Sequence, residues 1–552
     1  VKDVETHHVA TAAIGQGKIH QRRGDYAEAI RMFQSVEETR GVNAVTRSRA
    51  SVYRQECQDL LAGDNPFHIK PYVSKVSTNS ARVYWVSQGE IPAGNVELVC
   101  GNARYQAEPK LFPLTDTICQ LHVAEFKDLK PGAEHHYVVN CDGQKLAGTF
   151  FTAPEKAQRF SFAVIGDTQS YNPGLQPLLD ALGEEDTRFV LHVGDIVDRG
   201  NVWGEWRAGF FDPGHAYLRR NVLWPSYGNH DGGPYFPALF ELRPYYYSFD
   251  HGNLHCIVLD SYGAGAHGRG REEQLAWLKE DLAKQGKEWT IVGLHVPMVA
   301  TGRGVDWFGD DDFLPLLESH GVDIVFSGHH PHYRRYRPLG KTGGHPILHI
   351  TSGGGGGPVG GNMPSPLLST GIDVNHYCVV TVDGDELSIE AKSISGAVID
   401  RYTLRKEGQT FEPKVLATAV DIDRAKQIIS LYQELLTDST YVFQLRTAGE
   451  PQPGVPTTLT LDLKKLPRGP LNLASVPRDA RLHFKAAESD AWQFEPQSLQ
   501  LHDGRIEFQA TPPKSPGAVG ASAAKGFDIV LQLEAFGNKY EPVTVDAHVL
   551  VD

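Results

Sequence analysis

Five segments rich in metal-ligating side chains, each set where an apolar run ends, constrain this chain more than any other feature. Asp167 follows the apolar run at 162–165. Asp195 follows Phe189-Val190-Leu191-His192-Val193 and lies in Gly194-Asp195-Ile196-Val197-Asp198-Arg199-Gly200. Asn229 sits in Gly228-Asn229-His230-Asp231. His295 follows Trp289-Thr290-Ile291-Val292-Gly293-Leu294, and His329, His330 and His332 follow 322–328. Short continuous apolar runs read as strands buried on both faces. Amphipathic helical stretches at 174–186, 271–285 and 311–320 lie between them. The alternation predicts an α/β domain in which ligands at strand ends converge on one edge of a sheet. Carboxylate, amide and imidazole donors together suit a pair of divalent or trivalent ions.

A chain of 552 residues is too long for one core and predicts several domains. A formal charge of −14 argues against a general nucleic-acid binder, though a nucleotide or other phosphate substrate stays open, because bound metal reverses the local field. No apolar run is long enough to span a membrane. The chain starts at Val1 with no signal-peptide core, so an export signal, if the protein has one, lies outside this sequence. Six cysteines are too few for a disulfide scaffold; Cys100, Cys119 and Cys141 share one β region, where a single bridge could form.

Residues 1–63 read as helical. The stretch from Gly24 to Phe33 resembles half of a tetratricopeptide repeat, and a helical hairpin is the simpler reading. Residues 64–155 read as a small β-sandwich, with alternation in Ala81-Arg82-Val83-Tyr84-Trp85-Val86 and a Leu129-Lys130-Pro131-Gly132 turn before a Tyr137 strand. These features resemble a fibronectin type III module. Residues 156–407 hold the strand–helix alternation, with an antiparallel pair around His251-Gly252-Asn253 and a glycine run, 353–357, expected to be a flexible loop. Residues 408–552 read as one helix, 422–436, followed by a β-rich domain of sandwich type for scaffolding or interaction.

Taken together, Gly166-Asp167-x-Gln169, Gly194-Asp195-x-x-Asp198-Arg199, Gly228-Asn229-His230-Asp231, His295-x-Pro297 and Gly328-His329 resemble the five blocks of the calcineurin-like metallophosphoesterase superfamily. The preceding module, with Tyr333, Arg335 and Pro338 after the last block, resembles its purple acid phosphatase branch. The resemblance implies a four-layer α/β/β/α catalytic domain flanked by β-sandwich domains and a helical N-terminus. It implies two metal ions (Fe, Mn, Zn, Ca or Mg) and hydrolysis of a phosphomonoester or phosphodiester by hydroxide bound between them. Asp195 would bridge the ions, Asn229, His295 and His329 would complete one site, and Asp167, with Gln169 through its carbonyl oxygen or a held water, would bind the other. His230 would act as general acid or charge stabiliser, with Asp231 fixing its tautomer. Arg199 would touch a phosphate oxygen or form a structural salt bridge. A small phosphate ester is the expected partner, and a location outside the cytoplasm is the expected setting.

Three departures cluster on the first ion. Gln169 stands where many relatives have His, Asp198 where the purple branch has Tyr, and Pro331 where the second His of Gly-His-x-His should be. A small backbone shift would let a neighbouring His reach the ion, His332 being favoured over His330. Two other readings stay open. A protein Ser/Thr phosphatase shares the Gly-Asp-x-Val-Asp-Arg-Gly block, and a degenerate non-catalytic metal-binding protein would fit the altered first site.

Overall fold

The structure is a computed structural model. It describes residues 66–406 with short interruptions, the longest at 301–307, together with parts of 2–61 and 416–551. Most of the helix expected at 422–436 lies outside the described residues.

Near the N-terminus, helices Lys2–Arg22 and Tyr26–Glu38 pack through Ala29, Phe33 and Val36. A Cβ at Gly17 would sit 2.6 Å from the Phe33 ring, so only glycine lets the two helices cross this closely. Eight strands follow: β1 (Phe67–Ser74), β2 (Ala81–Gln88), β3 (Asn95–Cys100), β4 (Ala103–Ala107), β5 (Lys110–Pro113), β6 (Cys119–Phe126), β7 (Glu134–Cys141) and β8 (Gln144–Phe151). They form two sheets, β1-β2-β6-β5 and β4-β3-β7-β8. Alternate residues of β7 are buried, as expected where one face meets a core and the other meets water. Trp85, Leu98, Phe126, Tyr137 and Phe150 fill the space between the sheets. All six cysteines are free, so the bridge considered for this region is not formed.

The central domain uses β9 (Phe160–Ile165), β10 (Phe189–His192), β11 (Val222–Pro225), β12 (Tyr247–His251), β13 (Leu254–Val258), β14 (Trp289–Gly293), β15 (Ile324–Ser327), β16 (Tyr333–Tyr336), β17 (Leu339–Gly340), β18 (Leu348–Ser352), β19 (Leu368–Ile372), β20 (His376–Asp383), β21 (Glu386–Ser393) and β22 (Val398–Arg405). One sheet runs β11-β10-β9-β20-β21-β22 and the other β12-β13-β14-β15-β18-β16-β19. Strands β9 to β11 are mutually parallel, as are β13, β14, β15 and β18. Phe162, Val164 and Leu191 face Ile291, Phe326 and Ile350 across the middle. Helix Leu175–Gly183 covers the outer face of the first sheet, and helices Gly268–Lys284 and Phe313–Ser319 cover that of the second. The result is the expected α/β/β/α order, and β12 and β13 form the expected antiparallel pair.

The sandwich is bolted to this domain by named contacts. Tyr72 Oη donates to Leu239 O at 2.6 Å, and Ser74 Oγ to Leu223 O at 2.7 Å. Glu241 accepts from Arg82 and Tyr84, while Lys75 donates to its carbonyl. Near the C-terminus the described strands join in one nine-stranded sheet, so this region is β-rich as expected but hydrogen-bonds as a single sheet. No helix among the described residues is long and apolar enough to cross a membrane.

Candidate metal centre

Parallel strands β9, β10, β11, β14 and β15 all end at one edge, and the five motif loops leave from there. Their backbones are strained in a shared way. Asp167 (φ 56°), Gln169 (46°), Asp195 (54°) and His329 (70°) adopt the left-handed conformation. Such conformations are uncommon outside glycine and cost about 1–3 kcal/mol each, so they persist where surrounding structure and function hold them. The flanking glycines explain how the loops close on one another. A Cβ at Gly228 would lie 2.2 Å from Asp195 Oδ1, and one at Gly328 would lie 2.6 Å from Asp167 Oδ2.

The tightest group of donors is built from three of these loops and the end of β14. Asn229 Oδ1 is 2.9 Å from His295 Nε2 and 2.8 Å from His329 Nδ1, and the two nitrogens are 3.3 Å apart. His295 Nε2 is also 3.3 Å from Asp195 Oδ1. On the far side of its ring, His295 Nδ1 donates to Val193 O at 2.9 Å. A neutral His295 therefore turns the lone pair of Nε2 toward two oxygen acceptors. A cation among them relieves that repulsion. A proton is one solution: burial alone would lower the His295 pKa, but the charge and hydrogen bond of Asp195, then the charge of Asp167 and the bond to Val193 O, lift it to about 9. A divalent ion is the other, since ligands at 2.0–2.2 Å in a tetrahedron stand roughly 3.3–3.6 Å apart. Among the described residues, Asp195, His295 and His329 are the one group of His, Cys, Asp and Glu donors close enough to share an ion. The residues present fit a metal.

Asp167 stands beside this group. Its Oδ2 accepts from His329 N at 2.9 Å, and burial pushes its pKa well up, with Asp195 adding and His295 opposing. Gln169 donates its backbone N–H to Asp195 O, and its side chain lies toward Gly357. His332 is turned elsewhere. Its Nδ1 donates to Gly360 O at 3.1 Å, and its titratable neighbours include Arg334, His376 and the stacked ring of His330. It stands outside the group that Asp195, His295 and His329 form. Pro331 sits at the head of a tight turn in which His332 N donates to His330 O, and that turn carries the His332 ring away.

Two expected roles change. Asp231 does not hold the His230 ring. It is fully buried, and its carboxylate accepts from the backbone N–H groups of Asp195, Ile196, Val197 and Gly228. It pins the Asp195 loop to the Asn229 loop. Burial, and then the charge of Asp195, raise its pKa to about 7. His230 instead donates from Nδ1 to the carbonyl of Asp198 at 2.8 Å, leaving Nε2 half exposed and 3.9 Å from Asp195 Oδ2. Arg199 takes the salt-bridge alternative: its Nε donates to buried Glu205 at 2.8 Å.

Three supports escaped sequence reasoning. Glu205 also accepts from Arg199 N and Ser170 Oγ, tying the first two loops together. Ser261 Oγ accepts from His295 N and Val296 N and so fixes the His295 loop. The glycine run is not a loose loop. Its residues are buried, and a Cβ at Gly353 would meet His330 O at 2.1 Å and Asp167 Oδ2 at 2.9 Å. Glycine is required there by close packing over the first motif. Five adjacent glycines directly after a buried strand were the one signal of it.

Residues 160–333 match the family described as calcineurin-like phosphoesterase, and the chain carries a calcineurin-like phosphoesterase domain. Within that class it is similar to purple acid phosphatases. Purple acid phosphatase 22 of Arabidopsis thaliana is 33% identical over 280 residues, covering 45% of this chain and 62% of the relative. An uncharacterized protein of Mycobacterium tuberculosis is 26% identical over 282 residues, covering 41% of this chain and 52% of that one. The solved purple acid phosphatase from yellow lupin (Lupinus luteus) seeds shares the fold, with a TM-score of 0.54 at 18% identity over 64% of this chain and 76% of that one. The chain spans about half the length of the first curated relatives it matches.

Proposed function

We propose that this chain hydrolyses phosphate esters with two metal ions held at the strand-end edge. The observation that carries the reading is the meeting of His295 Nε2, His329 Nδ1, Asn229 Oδ1 and Asp195 Oδ1, with the His295 tautomer fixed by Val193 O. Those four residues would hold one ion. Asp195 and Asp167 would hold the other, with the side-chain carbonyl of Gln169 as a further oxygen donor. The ions supply Lewis acidity to the phosphoryl oxygens and make a water nucleophilic near neutral pH.

The chain's own residues do the rest. His230 holds its Nδ1 proton against Asp198 O, so proton exchange with a leaving group belongs to the half-exposed Nε2. Asp231 keeps the Asp195 and Asn229 loops in register, and Arg199 with Glu205 braces the loop that carries Asp198. Substrates are small phosphomonoesters or phosphodiesters. The N-terminal sandwich, with ABED and C′CFG-like strand order, is read as a fibronectin type III-like module, which supports a place outside the cytoplasm.

The test is hydrolysis of an aryl phosphomonoester and an aryl phosphodiester by chelator-stripped protein resupplied in turn with Mn, Zn, Fe, Ca and Mg. At least one metal should restore turnover of one ester, and Asn229→Ala should lower kcat/KM by more than about a hundredfold. No turnover with any metal, in protein that binds metal, would count against the enzyme reading.

A further inference from the structure

The first ion lacks the histidine expected at position 331, where this chain has proline. We propose that His330 supplies the missing imidazole. The inference rests on the two-ion reading above and names a ligand for its weaker half.

Four observations converge on His330. Its ring packs edge-to-face on His329, centroids 5.1 Å apart and planes at 68°, so it adjoins a residue of the donor group directly. Its titratable neighbours include His329, His295, His332 and Arg334, whereas those of His332 are Arg334, His376 and the stacked His330 ring. Its backbone stands beside Asp167: the Cβ direction of Gly353 points at His330 O and at Asp167 Oδ2 together. Finally, Nε2 of His330 is buried with no hydrogen-bond partner, in a residue only 9% exposed. A buried ring nitrogen left unmatched costs about 1–3 kcal/mol and calls for a group not yet supplied.

His332 Nε2 is also buried and unmatched, and its ring stacks on that of His330 at 5.6 Å with planes 5° apart. Both rings therefore offer a nitrogen, and the contacts around each decide between them. The bond from His332 Nδ1 to Gly360 O ties His332 to the segment at Gly360, while the His330 ring lies against His329 of the donor group. The Pro331 turn, with His332 N donating to His330 O at 2.7 Å, sets the two rings in this order.

The experiment is metal stoichiometry by elemental analysis on the full chain loaded with Mn(II). It is paired with calorimetric titration and with electron paramagnetic resonance, where two coupled ions give a signal distinct from one isolated ion. Wild type should hold two ions. His330→Ala should keep the tighter ion and weaken the second by more than about tenfold, leaving an isolated-ion spectrum. His332→Ala should keep two coupled ions. His330→Gln, which restores an oxygen donor without the ring, covers the case in which the alanine variant fails to fold; it should show the same selective weakening. The inference is overturned if His332→Ala is the variant that loses the second ion, or if neither histidine matters. Wild type holding fewer than two ions would overturn the two-ion reading itself, and the wild-type measurement separates that failure from the others.

Discussion

Asp195 shows how one residue is made to serve several demands. Its main chain is held left-handed, its backbone N–H is taken by Asp231, and its Oδ1 accepts from His230 N at 2.8 Å while facing His295. Burial pushes its pKa up, but His295 and His230 outweigh that and hold the carboxylate in its charged form. The close approach of Gly228 is what permits this. Gly228→Ala would thrust a methyl group to 2.2 Å from Asp195 Oδ1 and 2.3 Å from Asp195 N. We expect this variant to fold yet lose more than about tenfold in metal affinity, read by calorimetry, because a ligand that cannot reach its position is in effect absent. Unchanged affinity would show that Asp195 is free to move.

At the scale of elements, the histidines divide into those that face the donor group and those that brace the sheet. His255 on β13 is a brace: Nδ1 contacts Asp250 on β12 at 2.7 Å, and Nε2 contacts Asp281 on helix Gly268–Lys284 at 3.0 Å. Burial alone would lower its pKa, but the two carboxylates raise it to about 9. The folded protein therefore holds this proton more tightly than the unfolded chain, whose value is 6.5. The resulting stability is complete below pH 6.5 and is lost as pH rises through about 9, with an upper bound of about 3 kcal/mol. His255→Gln should lower the melting temperature at pH 6 and narrow its gap to wild type at pH 9.5. An equal gap at both pH values would contradict the assignment.

How legible each element was follows from how local its cause is. Strands β9, β10, β14 and β15 declare themselves as apolar runs, and the motif residues at their ends could be named without coordinates. The role of Asp231 could not, because its partners are backbone N–H groups up to 36 residues away in sequence that carry no signature. The Pro331 turn was visible, but which flanking ring it directs inward depends on Gly360 and the buried glycine run, both contributed by a later segment. Arg199 was balanced between two roles until Glu205, six residues on, was seen to be buried beside it.

For the whole molecule, the strand-end edge that holds the donor group is framed by the N-terminal helices and the sandwich. Val202, just after the Asp195 motif, packs on the N-terminal helices, and Trp203 Nε1 donates to His68 Nε2 on β1 of the sandwich. Glu241 gathers Arg82, Tyr84 and Lys75 at the junction between sandwich and central domain. Glu241→Ala removes two charge-assisted or hydroxyl hydrogen bonds, about 1–3 kcal/mol in all. The expected result is a melting temperature lower by about 2–4 °C with ester hydrolysis at 25 °C unchanged. Lost activity at full stability would mean that the junction sets the active edge and not merely the docking of the sandwich.

The proposed hydrolysis depends most directly on Asp195, Asn229, His295 and His329 closing around a cation. Crystals of the full chain soaked in Mn(II), with diffraction data collected for anomalous signal, should show a peak between His295 Nε2, His329 Nδ1, Asn229 Oδ1 and Asp195 Oδ1. An anomalous map with no peak among those four atoms at saturating metal would contradict it.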